Sequence, residues 1–286
     1  MRSSIVVGVD GSPAARRAAR AAASFARRLD YRLVLAHVAS DPPVFPYGAP
    51  TAREIQRRRA LERATSILDS VAHAIGEPAA KKAAVISDVP SGLAFIADNE
   101  AAALLAIGSR ADKRWGRQRN NPLATALEAI SSCPVVVVSG SAAKGLALAL
   151  PPPVGAVVVG VDGSPNSMRA QVVAAGLAGQ LGLPATSVFV REEGSQAVLD
   201  DAVSISNADP ASGLADAART KSASLLVVGA SGGQGGAPSV AERLHRTSPV
   251  PLVVVPSDAH LAPFVSKHLE ARAQAAVRVR PLATQE

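Results

Sequence analysis

Cysteine occurs once, at Cys133, so the chain cannot close a disulfide on itself and cannot offer a paired-cysteine metal or redox site. Aromatic residues make up only 3% of the 286 residues, with a single tryptophan, Trp115. The 48% hydrophobic content therefore rests on small aliphatic side chains, and the core must pack by close contact rather than by large rings. No apolar run reaches the ~18 residues of a membrane helix; LALALPPPVGAVVV is cut by three prolines. The opening MRSSIVV is short and polar, unlike an export signal. These absences set the expectation of a cytoplasmic protein with no membrane contact. A net charge of +7 leaves room for an anionic partner, although such a surplus also suits a solvated surface.

What the chain does have is a repeat. IVVGVDGSP at Ile5 returns as VVVGVDGSP at Val157, an offset of 152. SGLA at Ser91 recurs at Ser212, and LLAIGSR at Leu104 is answered by LLVVGAS at Leu225, both at an offset of 121. PVVVVSG at Pro134 is answered by PLVVVPS at Pro251, offset 117. The order is the same in both halves. The fall in offset shows that the second half lacks most of the segment that includes residues 52–75.

Each half alternates short β-branched runs with helical patterns, which implies βαβ units in a mostly parallel, doubly wound α/β sheet of five strands. In Pro13–Leu29, Ala14, Ala18, Ala21, Ala22, Phe25 and Leu29 share one face, and Arg16, Arg20 and Arg27 the other. Further helices are expected near 52–75, 91–100 and 123–131. The expected division is a first domain over 1–140, a linker near 139–155, a shortened second domain over 155–257, and a basic tail over 258–286. Five-stranded sheets are expected, one per domain. The tail carries Phe264, Val265, Leu269 and Arg272 at helical spacing, suited to packing back on the body or to meeting a protein partner.

The turn VDGSP ends a strand at Asp10 and again at Asp162. Glycine makes the bend, serine suits an N-cap, and proline suits the first helical position. The carboxyl end of a parallel strand facing a helix N-terminus is where open α/β sheets take ligands, and free N–H groups there suit phosphate. The same turn also serves as a plain strand-to-helix connection.

With these blocks in this order, the chain resembles a tandem universal stress protein, over about residues 3–140 and 155–257. The resemblance implies adenine-nucleotide binding, with ATP as the ligand and no metal beyond the Mg it carries. It implies contacts from the first-strand aspartate (Asp10, Asp162), the end of the second strand (Val38, Val190) and the end of the fourth (Gly108; Val228, Gly229). It also implies a glycine loop of the form G-x2-G-x9-G-(S/T). It further implies an internal pseudo-dimer in which the closing strands PVVVV and PLVVV pair.

The loop departs from that form in both halves. In the first, Ala111, Asn121 and Pro122 replace glycine, glycine and hydroxyl; asparagine tolerates a left-handed backbone, but proline removes an N–H. In the second, Gly229, Gly232 and Ser239 survive, followed by Val240, but the loop is four residues shorter. The second half is thus the expected site, with weak affinity. The alternative is that Asp10 and Asp162 only end strands and hold turns, leaving a scaffold that works through protein partners.

Other clusters carry less. Arg110, Lys113, Arg114, Arg117 and Arg119 form a basic loop that suits solvent better than phosphate. Arg53, Arg57, Arg58, Arg59 and Arg63 read as a solvated helix face, since no aromatics interleave as nucleic-acid binding would require. His37, His73, His245, His260 and His268 lack metal spacing. Without a nucleophile–base set or a carboxylate pair, no enzyme chemistry is expected.

Overall fold

The computed structural model describes residues 3–42, 50–109, 121–140, 155–191, 202–207, 209–230 and 238–265. The first half runs β1 (Ser4–Gly8), α1 (Pro13–Leu29), β2 (Arg32–Ala39), α2 (Pro50–Ala74), β3 (Lys81–Ile86), α3 (Val89–Asn99), β4 (Ala102–Gly108), α4 (Pro122–Ile130) and β5 (Val135–Val138). The second runs β6 (Val157–Val161), α5 (Pro165–Leu181), β7 (Ala185–Arg191), β8 (Val203–Ser206), α6 (Pro210–Thr220), β9 (Leu225–Gly229), α7 (Val240–Thr247) and β10 (Leu252–Val255).

The strands form one sheet in the order β3-β2-β1-β4-β5-β10-β9-β6-β7-β8. Each half contributes five parallel strands. The halves meet where β5 and β10 pair antiparallel, Val137 with Leu252, Val136 with Val253 and Val135 with Val254. Two separate sheets and paired closing strands cannot both hold, and the pairing prevails. An all-valine β5, wholly buried, would leave an apolar hydrogen-bonding edge in water; β10 covers it. The expectation of one sheet per half gives way to a continuous ten-stranded sheet.

Strand side chains alternate between two cores. Ile5, Val7 and Val9 face α1 and α2, in a layer shared with α5; Val6 and its neighbours face α3 and α4, in a layer shared with α6 and α7. The small side chains let α1 sit close to the sheet. Ala14, Ala18, Ala19, Ala21, Ala22 and Ala23 are each no more than 4% exposed. The second half indeed lacks an equivalent of α2: only the stretch between Arg191 and Val203 joins β7 to β8, too short for that 25-residue helix. After β10 the chain stays on the body. The His260 N–H donates to the Ser132 carbonyl, and Phe264 is fully buried. Residues 266–286, with Leu269 and Arg272, lie outside the described residues.

Candidate functional site

Both VDGSP segments build the same turn. In the first half the Ser12 N–H donates to Asp10 Oδ1 at 2.9 Å, and Ser12 Oγ accepts from Ala15 N at 3.2 Å. In the second, Ser164 N donates to Asp162 Oδ1 at 2.9 Å, and Ser164 Oγ accepts from Ser167 N at 3.2 Å. Gly11 and Gly163 take φ of 78° and 81°, a left-handed backbone that glycine enters freely. Each aspartate thus folds its turn through one oxygen. The protein around Asp162 opposes its charge, but hydrogen bonds from the Ser164 hydroxyl and N–H and from Ser167 outweigh this and hold the carboxyl below the ordinary aspartate range.

The sheet register brings the expected residues together. Gly8 lies opposite Ala36, so Asp10 comes level with Val38; Val161 lies opposite Phe189, so Asp162 comes level with Val190. β9, ending at Val228 and Gly229, runs along the other side of β6, as β4 with Gly108 does along β1. Val38 and Val190 are half-buried, packed beside Gly92 of α3 and Gly213 of α6.

The glycines have a packing duty. A Cβ at Gly229 would lie 2.6 Å from the carbonyl atoms of Asn166, and one at Gly108 would strike the backbone of Ala14. The first turn of the helix occupies that space. The next N–H is also engaged: Ser109 N donates to Val138 at 2.9 Å and Ala230 N to Val255 at 2.8 Å. Both donors are thus spent within the sheet.

At the far end of the loop the halves differ. Ser239 caps α7 in a reciprocal box: Glu242 N donates to Ser239 Oγ at 3.2 Å, and Ser239 N donates to Glu242 Oε2 at 3.1 Å. A carboxylate therefore sits where the N-terminus of α7 would meet an anion; Val240 follows as the first, half-buried helical residue. In the first half Asn121 is not left-handed, as its place in the loop suggests, but extended, at φ −84° and ψ 91°. Its side chain accepts from Ala124 N at 3.3 Å, so Asn121 replaces the serine as cap and α4 starts at Pro122. Among the described residues, the buried Asn121 Nδ2 has no hydrogen-bond partner. Gly232, Ala111, Trp115 and the basic loop lie outside the described residues.

A model of the universal stress protein family matches residues 1–139 and 191–256. The chain belongs to the universal stress protein family. The second VVVGVDGSP lies outside both matched stretches, yet its turn reproduces the first bond for bond. A universal stress protein from Archaeoglobus fulgidus DSM 4304 is similar at 17% identity and TM-score 0.66, over 88% of this chain and 98% of that one. A putative universal stress protein from Pseudomonas aeruginosa UCBPP-PA14 is similar at 15% identity and TM-score 0.58, over 96% and 98%. At these identities the likeness speaks for the fold. No curated protein matches the chain.

Several of the remaining candidates have structural partners. His37 Nδ1 bonds the Val9 carbonyl at 2.7 Å, joining β2 to the turn after β1. Arg53 and Arg57 of α2 both reach Asp41, and Arg58 pairs with Glu62 on the exposed helix face. Among the described residues no His, Cys, Asp or Glu cluster could hold a metal, and no helix is long and apolar enough to cross a membrane. The sequence reading weighed His245 only as a metal ligand and passed over Glu128; the two meet between the halves. Their one signal is positional: they stand at the same place in the two repeats.

Proposed function

We propose that this protein binds an adenine nucleotide weakly at the strand ends of its second half, as a cytoplasmic stress-response sensor that does no chemistry on its ligand. The observation that carries the reading is Asp162, a carboxylate held below the ordinary aspartate range just past the end of β6, level with Val190 on one side and next to the end of β9 on the other. One oxygen folds the turn, and the carboxylate retains acceptor capacity for a ribose hydroxyl. The adenosine end of ATP fits this arrangement. The phosphate end fits poorly, because Glu242 already takes the Ser239 N–H and adds negative charge. Binding weakened at the phosphates but not lost is the expected balance.

The test is a thermal melt with millimolar ATP and Mg. The parent should gain stability, Asp162→Ala should lose the gain, and Asp10→Ala should keep it. A gain lost with Asp10→Ala instead moves the site to the first half. The second reading, a scaffold working through a protein partner, is favoured by the capping box itself and predicts no ATP-dependent shift in the parent.

A further inference from the structure

The contact between α4 and α7 joins positions that are images of one another. The closing repeats are offset by 117, as Pro134 and Pro251 show, and Val136 pairs with Val253 across the β5–β10 junction. The same offset relates Glu128 to His245 and Thr125 to Glu242. Glu128 Oε1 meets His245 Nε2, and the Thr125 hydroxyl donates to Glu242 Oε1 at 3.3 Å. These residues therefore lie about the pseudo-twofold axis, where two identical halves would set each side chain against its own copy. Here they are unlike. The His245 side chain is fully buried and that of Glu128 is 9% exposed, so the pair is shielded from water.

We propose that this contact is a pairing-specificity surface: the first half accepts a partner that places an imidazole N–H opposite Glu128, and rejects a second copy of itself. Two first halves would oppose Glu128 with Glu128, two acceptors with no proton between them unless one carboxyl is neutralised. Two second halves would oppose Glu242 with Glu242. The first-half pairing opposes two carboxylates in a shielded place and the second-half pairing opposes two half-buried ones, whereas the unlike pairing sets each carboxylate against a donor. The valines of β5 and β10 cannot make this choice, because either strand is an apolar partner for the other or for itself.

The experiment uses the full chain with E128H, H245E and the exchange E128H/H245E. H245E opposes two carboxylates within the chain and should melt about 10 °C below the parent. The exchange restores an acid opposite an imidazole and should recover most of that loss. E128H makes the first half compatible with itself, since Thr125 is neutral. Refolded at high concentration and sized by light scattering, it should add species of twice the parent mass. This arm needs no folded H245E protein. An exchange variant that melts as low as H245E, or an E128H protein with the parent's mass distribution, overturns the proposal.

Discussion

Phe264 rests on Gly176. The site of a Cβ on Gly176 lies 2.6 Å from Phe264 Cβ and 2.7 Å from its Cα, so the Phe264 backbone and Cβ press directly on α5. Phe264 is 1% exposed and among the largest fully buried side chains. Around it, Arg169 donates to the Ala259 carbonyl and Gln180 Nε2 to the Pro263 carbonyl at 3.1 Å. Phe264→Ala should cost about 3–5 kcal/mol, read as a lower urea midpoint. A loss under about 1 kcal/mol would show that the segment after β10 is not part of the core.

Glu242 holds the Ser239 N–H that a phosphate would need. Glu242→Gln should cost about 1 kcal/mol or less of stability, since glutamine can also close the box. It should nevertheless enlarge the melting shift caused by ATP, because a fixed negative charge is gone. An unchanged or smaller ATP shift would show that the phosphates, if bound, lie away from α7.

Among the described residues, three aspartates titrate below their ordinary range. Asp88 is lowered chiefly by the Ser91 N–H, and Asp209 chiefly by the Ser212 hydroxyl, with Ala211 and Arg243 adding to it. Asp162 is lowered by its serines against the opposition of its surroundings. Each carboxyl binds its proton more weakly in the folded chain than in the unfolded one. Their contribution is therefore complete above the ordinary aspartate value of about 3.9, and is lost as pH falls through the folded values. Urea midpoints should fall steeply with acidification in that window. Asp209→Asn should flatten the slope; an unchanged slope would remove Asp209 from the account.

Cys133 is 2% exposed, and burial pushes its thiol up to about 12, with the Ser131 hydroxyl acting in the opposite direction. The thiol form persists at neutral pH. Iodoacetamide should leave the native protein unmodified and alkylate it once unfolded. Rapid native labelling would mean that the β5 end opens readily.

The helix Pro13–Leu29 was legible in the sequence because its signals are local. Asp-Gly-Ser-Pro dictates a turn, a cap and a first helical residue, and the alanine face follows the helical period. The join between the halves was expected from the family resemblance, and a strand of four valines, which needs a partner, accords with it. What it entails for the sheet was not. Whether two edges fuse depends on partner geometry, which no local pattern encodes. Asn121 misled for a different reason: the residue that tolerates a left-handed backbone is equally a good cap, and Pro122 decides for the cap by fitting the first helical turn. Gly108 and Gly229 look alike whether a phosphate or a helix turn fills the space beside them. Glu128 and His245 met only once β5 and β10 were laid side by side.

The β5–β10 junction also fixes the economy of change in this chain. In a dimer of identical chains every substitution is written into both clefts at once, so neither can alter without the other. Here both halves are always made in equal number, and a substitution touches one cleft alone. Asn121 with Pro122 on one side, and Ser239 with Glu242 on the other, start the two corresponding helices by different means within one sheet.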